Sequence, residues 1–126
     1  MAKHNGCMNK LKANCRIWLY SADAPGVFGD GKVRLLTEIV ATGSLRKAAA
    51  NLGISYRKAW SDLAKAESCL GIDLIIRKRG GAAGGSTQLT SQGLQVIAAY
   101  KKFQAHVIKE LEYSLSINFK GLLDDV

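Results

Sequence analysis

The stretch from Ser44 to Leu63, SLRKAAANLGISYRKAWSDL, constrains the fold of this chain more than any other. It reads as two short helices around a tight corner. Ser44 is a good N-cap, since its hydroxyl accepts a hydrogen bond from a free first-turn N–H. Ala48, Ala49 and Ala50 keep the first helix thin, so that a second helix can cross it closely. Gly53 closes that helix, because a residue without Cβ takes the left-handed corner conformation at little cost. Ile54 is an apolar plug at the corner, and Ser55 caps the next helix. Small residues, a corner glycine and two caps at this spacing describe a helix-turn-helix, whose second helix in DNA-binding proteins lies in the major groove. A plain helical hairpin meets the same short pattern, so the flanking residues must decide.

Charge favours the nucleic-acid reading. Between Ser44 and Arg79 stand eight basic residues: Arg46, Lys47, Arg57, Lys58, Lys65, Arg77, Lys78 and Arg79. Asp62, Glu67 and Asp73 oppose them, so this segment holds +5 of the net +8. Such concentration is the electrostatic footprint of a phosphate-backbone binder. At 126 residues, 48% hydrophobic and 22% charged, the chain reads as one globular domain. No apolar run approaches the roughly 20 residues that span a bilayer. The lysines of the first twelve residues precede no apolar stretch, so no secretion signal is expected and a cytoplasmic location is. Cys7, Cys15 and Cys69 are scattered and odd in number, which suits free thiols, with Cys69 expected in the core. His4, Cys7 and Cys15 fit no common zinc spacing, and no metal or cofactor is expected. His4 and His106 have neither a paired carboxylate nor a nucleophile at workable spacing, so the chain does not read as an enzyme.

Around the motif, residues 1–14 are polar and read as a flexible arm. Arg16 to Ser21 alternates as a strand, with Ile17 and Leu19 on one face and Trp18 and Tyr20 on the other. Those two aromatics suit packing on a helix or a second subunit, or else stacking on single-stranded nucleic acid. A turn at Asp23–Gly26 leads to a short return strand at Val27–Phe28. Asp30 is placed to cap a scaffold helix from Gly31 to Thr42, with Val33, Leu36, Ile39 and Val40 as its apolar face.

The second motif helix runs from Tyr56 to about Leu70, with Ala59, Leu63, Ala66 and Leu70 as its apolar stripe. Arg57, Ser61, Ala64 and Ser68 fall opposite, with Lys65 beside them and Tyr56 and Trp60 on the flanks. Arg57 is the expected base reader, since its planar fork matches guanine O6 and N7. Ile72 to Ile76 reads as a strand, and with Gln88–Leu89 it forms a wing whose tip, RKRGGAAGGST, is basic and glycine-rich. A P-loop is excluded there, because Ser86 stands where the lysine should follow Gly85. Thr90 caps a long helix over residues 91–115, and a tail over 116–126 follows. That helix has two apolar sets. Ile97, Ala98, Ala105, Ile108 and Leu115 form one; Val96, Tyr100, Phe103, Val107 and Leu111 form the other. A second stripe on so long a helix asks for a partner, most simply the same helix of another copy.

Several of these segments together resemble the DNA-binding domain of the molybdate-responsive ModE family, which is related to LysR-type regulators. They are Gly43-Ser44, Ala48-Ala49, LGISYRKAW over Leu52–Trp60, the glycine-rich wing, and LTSQG over Leu89–Gly93. The strand carrying Arg16, Trp18 and Leu19 fits the ModE pattern better than the LysR one. The resemblance covers roughly Leu11 to Phe103. It implies a winged helix-turn-helix transcription regulator, dimeric through its N-terminal strand and last helix. Full-length members of that family carry C-terminal molybdate-binding domains; this sequence stops where they would begin, which leaves two readings open, a single-domain regulator or one that relies on a separate sensor protein.

The resulting expectation is a mainly α protein with a small β component: an N-terminal strand or hairpin, a winged helix-turn-helix over residues 15–115, and a long C-terminal dimerisation helix. Its partner is double-stranded DNA, bound as a homodimer. The recognition helix offers Ser55, Tyr56, Arg57, Lys58, Ser61 and Lys65, while Ser44, Arg46, Lys47, Arg77, Lys78 and Arg79 hold the backbone. Trp18, Tyr20, Val96, Tyr100, Phe103, Val107 and Leu111 are the expected dimer contacts. The alternative is a winged helix that docks on a protein, or an architectural DNA binder without a specific operator.

Overall fold

The computed structural model describes residues 11–78 and 86–122, with the backbone alone described at residues 24–27 and 78. The chain forms two units, residues 17–101 and residues 1–16 with 102–126. In the first, a hairpin of β1 (Trp18–Ser21) and β2 (Ala24–Gly29) leads into α1 (Asp30–Thr42), α2 (Leu45–Asn51) and α3 (Tyr56–Leu70). A second hairpin, β3 (Ile75–Lys78) with β4 (Ser86–Leu89), precedes α4 (Ser91–Asn118). Each hairpin is an antiparallel two-stranded sheet.

Helices α1 to α3 form the core because their small residues let them approach. Ala48 and Ala49 of α2, and Ala59 and Ala66 of α3, are buried among Leu36, Ile39, Leu45, Leu63 and Leu74. Both motif caps are as expected: Ser44 Oγ accepts from the Lys47 N–H and Ser55 Oγ from the Lys58 N–H. Gly53 takes the corner at φ 71°.

Four sequence expectations are corrected here. Asp30 does not cap α1, whose N-cap is Gly29 without a side-chain bond; the Asp30 carboxylate instead lies 2.7 Å from the Tyr100 hydroxyl, which donates to it. The buried face of α1 swings toward Leu35, leaving Val40 exposed at its edge. Leu70 is exposed at the end of α3, where Ile72 and Leu74 cover the core instead. Cys69 is exposed too, off the Ala59–Leu63–Ala66 stripe, with its Sγ 3.5 Å from Ser21 Oγ.

The hairpins also differ in detail. The first turns at residues 22–23, so Pro25 lies within β2, tolerated because a two-stranded sheet is all edge. The wing strand starts at Ile75 rather than Ile72. Its physical cause is Glu67, whose carboxylate accepts the Leu74 and Ile75 N–H groups at 2.8 and 3.3 Å and turns residues 72–74 away from a ladder. From Ile75 the wing is in regular register: Ile75 faces Leu89, Arg77 faces Thr87 and Lys78 faces Ser86.

Helix α4 begins on Thr90, as expected. Its Oγ1 accepts from the Gly93 N–H and donates to the Asp73 carbonyl, while its N–H donates to the Leu74 carbonyl. Val96 and Ile97 pack on the core, and Tyr100, expected at a dimer contact, is 4% exposed. Its ring meets Phe28 edge-on at 5.7 Å, and its hydroxyl lies 3.0 Å from the Ile17 carbonyl as well as near Asp30. Tyr100 is therefore a core residue of this chain.

In the second unit, Val107, Ile108, Leu111 and Leu115 of α4 are half-buried, as are Ala13 and Cys15. Phe103, Tyr113 and Ile117 are exposed. The helix runs three residues past Leu115, to Asn118. The Ser116 hydroxyl donates back to the Tyr113 carbonyl and the Asn118 amide to the Ser114 carbonyl, local side-chain bonds added to the helix ladder in its last turns. The stretch over residues 1–10, with His4 and Cys7, lies outside the described residues.

Candidate nucleic-acid interface

The face of α3 opposite its buried stripe carries the side chains that the sequence places there. Arg57, Lys65 and Ser68 are exposed, and Ser61 and Ala64 between them are half-buried and small. The surface is low, with cations standing above it, a shape that admits base edges and phosphates. Caps account for the hydroxyl acceptors of Ser44 and Ser55, so these two residues set where α2 and α3 begin.

The basic residues gather around this helix unevenly. Arg46 and Lys47 are exposed at the start of α2. The Arg46 guanidinium carbon stands 4.4 Å over the Tyr56 ring, and that of Arg77 in β3 stands 5.0 Å over the Trp60 ring. Trp60, placed on a flank of the helix by the sequence, thus supports an arginine from the wing. Lys58 is on the other flank of α3. Its ammonium pairs with Asp62 at 3.1 Å, and both line a groove with Gly31, Lys32 and Arg34. An exposed pair of this kind is worth little in water, so Lys58 remains able to exchange it for a phosphate. The Lys78 side chain, Arg79 and the wing tip at 79–85 lie outside the described residues.

Thr87 and Glu67 are structural parts of this surface that sequence reasoning missed. Thr87 is buried in β4, where its N–H donates to the Gly43 carbonyl and its hydroxyl accepts the Leu45 N–H. That N–H is a first-turn donor of α2 with no helical partner of its own. The wing is thereby pinned to the turn between α1 and α2. Glu67, counted in the sequence as an opposing charge, holds the α3–β3 connection. Neither role has a local signal, since both partners are distant in the chain or on backbone atoms.

The expected dimer contacts Trp18 and Tyr20 are 59% and 68% exposed on β1. Among the described residues no group of histidine, cysteine and acidic side chains is placed to hold a metal, and no helix is long and apolar enough to cross a membrane.

Three helices with a tight corner, a capped exposed helix and a β-hairpin docked beside it define a winged helix-turn-helix. The chain belongs to the family described as "Bacterial regulatory helix-turn-helix protein, lysR family", whose pattern matches residues 31–94. The match runs from the first turn of α1 to the first of α4. Among curated relatives, the molybdenum-pterin-binding protein MopB of Rhodobacter capsulatus is 37% identical over 91 residues, 71% of this chain and 34% of that protein. The molybdenum transport protein ModE of Azotobacter vinelandii is 31% identical over 96 residues, 76% of this chain and 33% of that protein. The transcriptional regulator ModE of Haemophilus influenzae is 34% identical over 84 residues, 64% of this chain and 33% of that one. The resemblance to ModE drawn from the sequence is borne out, and the chain spans about a third of the length of these relatives. A solved structure described as the "BenM_DBD/benA site 1 DNA Complex" is 23% identical with a TM-score of 0.48, covering 70% of this chain and 93% of that one.

Proposed function

We propose that this domain binds double-stranded DNA sequence-specifically, as part of a transcriptional regulator rather than an enzyme. Helix α3 enters the major groove, Arg57 reads a base edge, and Ser61 and Lys65 contact bases or backbone. Arg46 and Lys47 hold phosphates on the α2 side, and Arg77, Lys78 and Arg79 on the wing side. The observation that carries this reading is the exposed outward face of α3, flanked by the ring-supported guanidiniums of Arg46 and Arg77. The protein works in the cytoplasm as a homodimer, with Trp18, Tyr20, Phe103, Val107 and Leu111 as contacts between copies. A twofold dimer sets two recognition helices about one DNA turn apart. The names of the ModE relatives support a link to molybdate regulation, with the oxyanion signal supplied outside residues 17–101.

Fluorescence anisotropy tests this with a labelled duplex from the gene's own upstream region against a scrambled duplex, across a salt series, with and without molybdate. A preference of about a thousandfold or more is expected, the range of specific regulators. Equal weak binding to both duplexes would point to an architectural role. Absence of binding at low salt would overturn the reading and favour a protein-docking winged helix.

A further inference from the structure

Two aromatic rings on one flank of α3 each carry an arginine from a different element. Tyr56 and Trp60 are four residues apart, which sets them side by side on the helix surface. Arg46 comes to the first ring from the start of α2, and Arg77 comes to the second from β3. The rings are not core: Tyr56 is 39% exposed and Trp60 45%, while α3 is closed on the core by Ala59, Leu63 and Ala66. Among the described residues no carboxylate pairs with either arginine. Each guanidinium is therefore seated over a ring rather than on a carboxylate and keeps its charge unneutralised. A ring attracts the cation without supplying the oxygen acceptors of a carboxylate, so N–H donors of the guanidinium remain to grip an anion.

We infer that Tyr56 and Trp60 are positioning residues of the DNA interface: each presets one arginine for a backbone phosphate, one from the helix-turn-helix and one from the wing. This rests on the reading of α3 as the recognition helix. A free arginine side chain must be immobilised when it meets a phosphate, and the ring removes that step from binding. Losing one ring should weaken affinity about two- to tenfold. The loss should be equal on cognate and scrambled duplexes, since phosphates carry no sequence. It should also leave the salt dependence unchanged, because the number of cations released is the same. Removing the arginine is different: Arg77→Ala should lower the slope of log K against log salt by about 0.9 as well.

The test is a cycle of Trp60→Leu, Trp60→Phe, Arg77→Lys and the Trp60→Leu/Arg77→Lys double variant, each checked for folding by circular dichroism. Binding is read by anisotropy on both duplexes across salt. Arg77→Lys, an exposed change that keeps the charge and loses the planar face, should match Trp60→Leu. The double variant should lose nothing further, and Trp60→Phe should recover most of the affinity. In the free protein, the Arg77 side-chain proton resonances should be shifted by the Trp60 ring current, and Trp60→Leu should abolish the shift. Wild-type affinity in Trp60→Leu, or additive losses in the double variant, would overturn the inference while leaving DNA binding intact. A loss confined to the cognate duplex would overturn it too, by showing that Trp60 touches a base itself. If the wild type bound no duplex at low salt, the reading of α3 would fall and this inference with it, whatever the ring-current shift.

Discussion

Thr87 is one hydroxyl and one N–H, and together they attach the wing to the helix pair. Replacing it with valine keeps the branched shape and the β propensity but strands the buried Leu45 N–H. Thr87→Val should cost about 1–3 kcal/mol, the penalty for an unsatisfied buried donor, and thermal unfolding should show a lower Tm. An unchanged Tm would mean that another acceptor serves Leu45. Arg57 makes the opposite case, exposed and without a structural task among the described contacts. Arg57→Ala should leave stability within about 0.5 kcal/mol and cost about 1–3 kcal/mol on the cognate duplex, relaxing one operator position. Equal losses on cognate and random DNA would remove its base-reading role. Arg57 could be picked out from the sequence because helical spacing alone puts it opposite Ala59, Leu63 and Ala66. Thr87 could not, because its partners Gly43 and Leu45 are more than forty residues away.

Among the elements, the start of α4 is the most tightly specified. Thr90 takes part in four hydrogen bonds there, and Gly93 lets the helix pass against the backbone of residue 74: a Cβ at Gly93 would collide with the Leu74 carbonyl oxygen. Gly93→Ala should gain about 1 kcal/mol in helix propensity but lose about 1–3 kcal/mol to overpacking against a backbone atom that cannot move aside. The expected net is destabilisation, read as a fall in the urea midpoint; a rise would show that the connection over residues 72–74 yields. Local sequence is a good guide where an element is bounded by its own residues. Helix α3 runs from Tyr56 to Leu70 as expected, between the Ser55 cap and Gly71 in the left-handed conformation at φ 72°. It is a poor guide where a distant side chain competes for the backbone, as Glu67 does for Leu74 and Ile75.

For the whole molecule, the exposed aromatics of β1 and the outer residues of α4 bear on assembly. Trp18→Ser with Tyr20→Ser should shift sedimentation equilibrium toward the 13.6 kDa single chain without lowering the melting temperature by more than a few degrees, since neither ring is part of the core. An unchanged mass would remove β1 from the dimer contacts, and a monomeric wild type would remove the dimer. What the sequence determined by itself were features encoded within a few residues: the capped helix pair, the corner at Gly53, the outward face of α3 and the basic segment around it. Apolar periodicity, cap chemistry and charge are all local quantities, and each can be read along the chain. The tertiary structure alone decided which apolar residue meets which partner. It took Tyr100 from an expected interface into the core against Phe28 and Asp30, left Val40, Leu70 and Cys69 exposed, and set Arg46 and Arg77 over the rings of α3. An apolar or aromatic side chain is equally satisfied by any neighbour that excludes water, and only the three-dimensional packing supplies one.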